Sequence, residues 1–176
     1  MNKLQHSQNT PEAKATADTG TGTDAGANTG DKEIGTFYWG LNNAQTFMYG
    51  SEMTQDTVAS MNFVNPLMPA GTTIHEWYSN TNYQLNRDIP ILPFLYAGHT
   101  YRIEPDIKTK PDNTFALELL TFDRSEQMIS AQALYGPNYS FVYPTGSFYY
   151  TLRLVNAGCD ELQFNHFKLI EVNNED

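Results

Sequence analysis

Apolar and polar residues alternate at every second position in several parts of the chain. The even-numbered residues from 148 to 154 are aromatic or aliphatic, whereas Thr151 and Arg153 fall between them. The odd-numbered residues from 115 to 119 form a similar apolar set around Glu118. Side chains of a β-strand point to opposite faces in turn, so each run predicts a strand with one buried face. No stretch shows a sustained helical period, and long helices are not expected.

The last apolar run contains an irregularity. Apolar residues alternate up to Phe164 and again from Phe167 onward, but the step between these two residues is odd. One extra residue at Asn165 and His166 restores the phase. A β-bulge inserts one residue into a strand in this way, so the sequence predicts a bulge at this point.

Further short runs are rich in aromatic and β-branched residues and are separated by Gly, Pro, Asn and Asp. They predict strands at residues 36–39, 46–49, 58–64, 72–78, 100–107 and 127–134. About nine short strands at this spacing are typical of an all-β domain. We therefore expect an antiparallel two-sheet sandwich, jelly-roll-like in its connections.

The first part of the chain has a different composition. No bulky aliphatic or aromatic residue occurs from Gln5 to Glu33, and residues 15–30 use only Ala, Thr, Asp, Gly and Asn. Such a segment buries too little apolar surface to offset the entropy lost on ordering. The sequence predicts a disordered tail at residues 1–33 and a sandwich domain at residues 34–176.

The net charge and the cysteine content limit the partners and the cellular compartment that we expect for this protein. Asp and Glu number 20 against 10 Lys and Arg, a net charge of −10 that argues against nucleic acid and anionic membrane surfaces as partners. Cys159 is the single cysteine, so no intramolecular disulfide is expected. No apolar leader or membrane-spanning run is visible. We expect a cytoplasmic protein with no membrane insertion.

Catalytic and cofactor motifs are missing from the sequence. It contains no Gly-x-Ser-x-Gly, no His-Glu-x-x-His and no Gly-rich phosphate loop. His75 and Glu76 are neighbours on a predicted strand, so their side chains point to opposite faces. Asp106, Asp112 and Asp123 raise the alternative of a calcium site, although carboxylates are common in turns without any metal. We expect a protein that is not an enzyme and holds neither metal nor cofactor.

The segment 65–93 differs from the strands around it because it combines four prolines with aromatic residues. Prolines keep it largely irregular, and long ordered connections often carry function. Five residues have the side chains that bind protein partners or sugar rings, and they form the candidate partner- or glycan-binding site: Trp77, Tyr78, Asn82, Tyr83 and Arg87. Two alternatives to a protein interface stay open. The segment contacts glycan, or it is structural and Trp77 belongs to the core.

The same segment resembles a known family, accessory Sec system protein three. The resemblance spans roughly residues 37–169. It is carried by short blocks in a fixed order, among them Asn65-Pro66-Leu67-Met68-Pro69-Ala70-Gly71, Trp77, Asn82-Tyr83, Arg87, Pro90-Ile91-Leu92-Pro93, Tyr101-Arg102, Thr121-Phe122-Asp123-Arg124 and Asn156-Ala157-Gly158-Cys159.

The resemblance implies a sandwich similar to carbohydrate-binding modules that acts without catalysis in the cytosol. It implies assembly with the other two accessory secretory proteins, which modify a glycosylated serine-rich-repeat adhesin and escort it to the accessory SecA motor. Within residues 65–93, we expect Arg87 and Tyr83 to anchor the partner. The alternative function is a carbohydrate-binding module that recognises O-linked glycan on its own.

Overall fold

The computed structural model describes residues 30–57, 59–81 and 90–173. Among these residues, no helix occurs that could span a membrane. The regular structure consists of β-strands: β1 (Lys32–Phe37), β2 (Glu52–Thr57), β3 (Ser60–Val64), β4 (Thr73–Tyr78), β5 (Thr100–Lys110), β6 (Phe115–Phe122), β7 (Met128–Leu134), β8 (Ser140–Val142), β9 (Tyr149–Asn156) and β10 (Glu161–Val172).

The strands form two antiparallel sheets. In the first, which we call sheet A, the order is β2-β3-β10-β5-β8, and β1 pairs with β10 beyond the end of β3. In the second, sheet B, the order is β4-β9-β6-β7. The predicted antiparallel two-sheet sandwich is therefore confirmed.

Aromatic side chains fill the core between β4 of sheet B and β10 of sheet A. The ring of Trp77 stacks on Phe164 at 5.2 Å between centroids and meets Phe167 edge-on at 5.2 Å. Trp39 enters the same cluster from the loop after β1, with its ring 5.6 Å from that of Phe164. Fully burying one such side chain stabilises the fold by roughly 1.5–3 kcal/mol. This cluster joins β4 and the loop after β1 to the central strand of sheet A.

The predicted bulge in the last strand is confirmed. The register of β10 against β5 shifts between Phe164 and His166, and the side chain of Asn165 donates a hydrogen bond to Asp106 Oδ2 at 3.1 Å. Before the shift β10 pairs with β3, and after it β10 pairs with β1. The extra residue keeps both halves of β10 facing the core.

Most predicted strands are present, but one is wrong and two were not predicted. Residues 46–49 lie in an irregular loop with turns, because Phe47 makes one backbone bond to Ile74 O (3.0 Å) and no ladder. Strands β2 and β8 lack the apolar alternation that reveals the others. Strand β1 begins at Lys32, before the expected boundary at Ile34, while residues 1–29 of the expected tail lie outside the described residues.

Candidate partner-binding surface

Trp77 is a candidate binding residue by its type, and the structure places it in the core instead. Its side chain is 1% exposed, and its indole N–H donates to the backbone oxygen of Tyr38 at 2.9 Å. Register explains this position, because Trp77 lies opposite Leu152 on the inner face of sheet B. A partner cannot stack on Trp77 without opening the sandwich, so the core interpretation of this residue is correct.

Tyr78 is the described candidate that reaches the surface. Its ring is half-buried on the outer face of β4, and its hydroxyl donates to Glu76 Oε2 at 2.7 Å. The other three candidates, Asn82, Tyr83 and Arg87, lie outside the described residues. Their role as contacts stays a prediction.

A row of charged residues crosses the outer face of sheet B beside Tyr78. Arg153 of β9 lies opposite Glu76 of β4 on one side and Glu118 of β6 on the other. Its guanidinium donates to Glu76 Oε1 and lies 3.4 Å from Glu118 Oε2. The Glu76 side chain is only 5% exposed, so it depends on Arg153 and Tyr78 for its hydrogen bonds. In this row, which we call the platform of sheet B, both carboxylates interact with Arg153.

His75 points the other way, as the sequence predicts. Its Nε2 lies 2.9 Å from the backbone oxygen of Trp39 and its Nδ1 lies 2.7 Å from Thr46 Oγ1. A carbonyl can only accept, so Nε2 carries the proton and Nδ1 accepts from the Thr46 hydroxyl. Burial lowers the pKa of His75 from 6.5 to about 4. His75 is therefore neutral, and its two hydrogen bonds connect β4 to the loop after β1.

A mainly apolar cavity of about 300 Å³ opens between this loop and the segment after residue 90. Its lining includes Trp39, Leu41, Trp77, Tyr78 and Ile91. Leu41 is 88% exposed and Ile91 is 45% exposed. The cavity is therefore an apolar depression on the surface beside Tyr78.

Several bulky apolar side chains in the loops face solvent, and sequence reasoning missed them. Their position in loops that contain Gly or Pro was the sequence signal by which they could have been found. These residues are Leu41, Tyr49, Leu67, Phe94 and Tyr96. Loop residues follow no strand periodicity, so the sequence does not show which of them are buried: Met68 and Leu92 of these loops lie in the core, whereas their neighbours Leu67 and Phe94 are exposed. Concentrations of such residues mark interaction surfaces.

Two of the three aspartates that suggested a calcium site are engaged in the fold. Asp123 accepts the backbone N–H groups of Ser125 and Gln127 in a turn, and Asp106 accepts from Asn165. In the part of the chain that the structure describes, no three His, Cys, Asp or Glu side chains converge as metal ligands would. The turn interpretation therefore accounts for Asp123, and the bulge of β10 accounts for Asp106.

Comparison with known proteins decides the family. The model of the family "Accessory Sec secretory system ASP3" matches residues 46–171, which is most of the chain. The chain belongs to this family. It is 33% identical over 150 residues to the accessory Sec system protein of the same family from Streptococcus gordonii, and the match covers 80% of this chain and 92% of the relative.

A second relative in the family, the accessory Sec system protein from Staphylococcus aureus, is 26% identical over 137 residues. That match covers 78% of this chain but only 43% of the relative, so the matched region spans less than half of that longer protein.

Two solved structures share the fold with a TM-score of 0.71 each. One is described as a crystal structure of accessory secretory proteins 1, 2 and 3 of Streptococcus pneumoniae; the matched chain is 30% identical, with coverage of 77% of this chain and 94% of that one. The other is described as the Glycosylation Associate Protein (Gap123) complex of Streptococcus agalactiae, at 29% identity over 82% of this chain and 45% of that one. Both matched chains come from multi-protein assemblies.

Proposed function

We propose that this ASP3-family chain is a non-catalytic subunit that assembles in the cytoplasm with the two other accessory secretory proteins. The observation that carries the proposal is the likeness to chains solved together with those proteins, over 77% and 82% of this chain. The assembly would assist the modification and export of a glycosylated serine-rich-repeat adhesin and pass it to the accessory SecA motor.

Three buried side chains of types that do acid–base or nucleophilic chemistry elsewhere have structural roles, which supports a non-catalytic subunit. His75 is held between two hydrogen bonds, and Glu76 is bound by Arg153 and Tyr78. Cys159 is buried, and burial raises the pKa of its thiol, so the nucleophilic thiolate is disfavoured. Each of these groups serves the fold.

Co-expression with the two other accessory proteins tests the proposal. A tag on this chain should retain both untagged partners, and the complex should elute as one species well above the 19.9 kDa of the chain alone. Elution of the chain by itself at monomer size, with both partners soluble in the same extract, would contradict the proposal.

The second candidate function is glycan recognition by the isolated chain. The observation that favours it is the platform on sheet B, where the half-buried ring of Tyr78 adjoins the charged row centred on Arg153. Aromatic rings stack on the apolar faces of sugars, and fixed charged groups bind hydroxyls. Titration of the free chain with an O-glycosylated serine-rich peptide tests it, and Tyr78→Ala should abolish binding. The same peptide without sugar is the control.

A further inference from the structure

The longest uncharged stretch of the folded chain lies between Glu126 and Arg153. No Asp, Glu, Lys, Arg or His occurs at residues 127–152, although the chain carries 20 acidic and 10 basic residues in total. The stretch includes β7, β8 and the loops beside them. Depletion of charge together with many Tyr, Phe and Met side chains distinguishes the centre of protein–protein interfaces from other surfaces.

Exposed apolar side chains concentrate in this stretch. Met128 is 56% exposed and Ile129 is 39% exposed at the start of β7, and Tyr135 is 66% exposed just after its end. Phe148, in the loop after β8, is 51% exposed. The edge strand β7 thus has exposed apolar side chains at both of its ends.

The backbone of β7 has one unused edge. Phe148 N donates to Phe122 O, so the backbone groups of Phe122 point toward β9. Because these groups alternate along a strand, those of Leu119 point toward β7, where Gln132 is its partner. The N–H and C=O groups of Ala131 and Ala133 therefore point away from the sheet. Within the described residues, no backbone group outside β6 pairs with β7.

The side chains along this edge do not block the approach of another strand. Natural edge strands are usually protected by charged residues, prolines or cover from a loop. From Met128 to Leu134, β7 has neither charge nor proline. Its bulge, at Ile129, comes before Ala131 and Ala133, which are small and exposed. An extended segment of another chain can continue sheet B here by strand addition.

We propose that β7 receives an extended strand from one of the two other accessory secretory proteins. The proposal rests on the proposed function, since it needs that complex to form. Residues 1–29 of the same chain are a poor alternative, because their Gly, Asp and Asn content disfavours strands. A second copy is a poor partner as well, since each copy carries a net charge of −10.

Hydrogen exchange of the free chain and of the co-expressed complex tests the proposal directly. In the free chain the amides of Ala131 and Ala133 should exchange quickly, and in the complex at least ~10-fold more slowly. The amide of Val142 is the matched control. It also points outward from an edge strand, because Tyr143 N donates to His99 O and Ile103 N donates to Tyr139 O on the alternate residues. Its exchange should not change.

Two proline variants test the same point by mutation. Ala131→Pro removes one outward donor without removing a bond to β6, and it should lower the yield of co-purified partners by at least ~10-fold. Val142→Pro removes an outward donor from β8, and the yield should stay at the wild-type level. The exchange measurement on the wild-type chain decides the matter even where a variant folds poorly.

The outcomes separate the two proposals. A wild-type complex in which Ala131 and Ala133 exchange as fast as in the free chain would overturn strand addition and leave the proposed function intact. Failure of the wild-type chain to retain either partner would overturn both. A free chain that elutes as a dimer with these amides already protected would overturn strand addition by a partner, because a second copy would then occupy the edge.

Discussion

The two edge strands of sheet B differ in what surrounds them. Along β4, each outward carbonyl has a partner: Phe47 N donates to Ile74 O at 3.0 Å, Asn43 Nδ2 to Glu76 O at 2.9 Å, and Ile91 N to Tyr78 O at 3.1 Å. Along β7, the described residues provide no such cover. The chain uses two loops to close one edge of the sheet and leaves the other available for a neighbouring molecule.

The covered edge also contains the buried aromatic cluster, whereas β7 contributes little to the core. Leu134 is the only residue of β7 with a buried side chain. In β4, the four residues from 74 to 77 are all buried. Stability should therefore depend on the β4 side of sheet B, and association should depend on the β7 side. The following changes test this division, from the largest expected effect on stability to the smallest.

Trp77→Ala should have the largest effect. Removing a fully buried indole leaves a cavity and an unpaired Tyr38 carbonyl, and such changes cost about 3–5 kcal/mol of unfolding free energy. Urea denaturation measures the loss. Phe94→Ala, at a residue that is 81% exposed, is the matched control and should change the unfolding free energy by no more than about 0.5 kcal/mol. A loss below about 1 kcal/mol for Trp77→Ala would place Trp77 outside the core.

Acid should weaken the attachment of the loop to β4 through His75. The folded state holds the pKa of His75 at about 4, against 6.5 in the unfolded chain. Between these values the unfolded state binds the proton and the folded state does not, so stability falls as the pH falls. The contribution of this residue is up to about 3 kcal/mol between pH 7 and pH 4.

Denaturation of the wild type and of His75→Gln across that pH range measures this contribution. Carboxylates titrate in both proteins, so their effect cancels in the difference. The stability advantage of the wild type should shrink steadily toward pH 4. An advantage that is the same at every pH would mean that His75 titrates normally in the folded state.

Arg153→Met should destabilise the protein by about 2 kcal/mol, because it leaves the Glu76 carboxylate buried without its cation. Loss of one partner from a fully buried pair costs about 3–5 kcal/mol, and the 35% exposure of the Arg153 side chain reduces that figure. The double variant Glu76→Met/Arg153→Met should recover most of the loss. If the double variant is as unstable as the single one, shape rather than charge explains the effect.

Asn43→Ala should cost about 1 kcal/mol, since it removes the side-chain bond that covers the Glu76 carbonyl at the edge of β4. Thermal unfolding is the measurement. The matched control is Gln45→Ala in the same turn, where the side chain is exposed and no change is expected. Equal effects from both substitutions would show that the cover of β4 does not depend on this bond.

Ala131→Pro should have the smallest effect on the isolated chain, below about 1 kcal/mol, because the donor that it removes points to solvent. Gln132→Pro is the contrast: its amide bonds to β6, and its loss should cost about 3 kcal/mol. Chemical denaturation of the two variants side by side gives the comparison. Equal losses would mean that the amides of β7 are not divided between β6 and solvent as the register indicates.

Periodicity predicted those parts of the fold in which one face of a strand is buried. The bulge after Phe164 was visible because a change of phase in an apolar run has few other causes. Strand β2 was not predicted, since Glu52–Thr57 contains mostly polar residues and pairs through its backbone. Residues 46–49 have a strand-like composition, yet Thr46 and Phe47 bond to β4 singly and lie in a loop.

The site was harder to predict because the type of a residue does not reveal on which face of the sheet its side chain lies. Trp77 and Tyr78 are adjacent aromatic residues, but one enters the core and the other lies on the outer face of sheet B. Only the register of β4 against β9 separates them. The unused edge of β7 could not be predicted either, because the order of all the strands in a sheet decides which strand lies at its edge.

The pairing of β10 also determines when sheet A can form during synthesis on the ribosome. This strand lies between β5 on one side and β3 with β1 on the other, yet all of them precede it in the chain. While a ribosome is still translating the residues before Glu161, sheet A lacks its centre, and three strands have no shared neighbour. Sheet A can therefore close only once β10 has left the ribosome, and contacts of such long sequence separation form slowly. Until then the rings of Trp39 and Trp77 lack Phe164 and Phe167, the aromatic partners that β10 supplies.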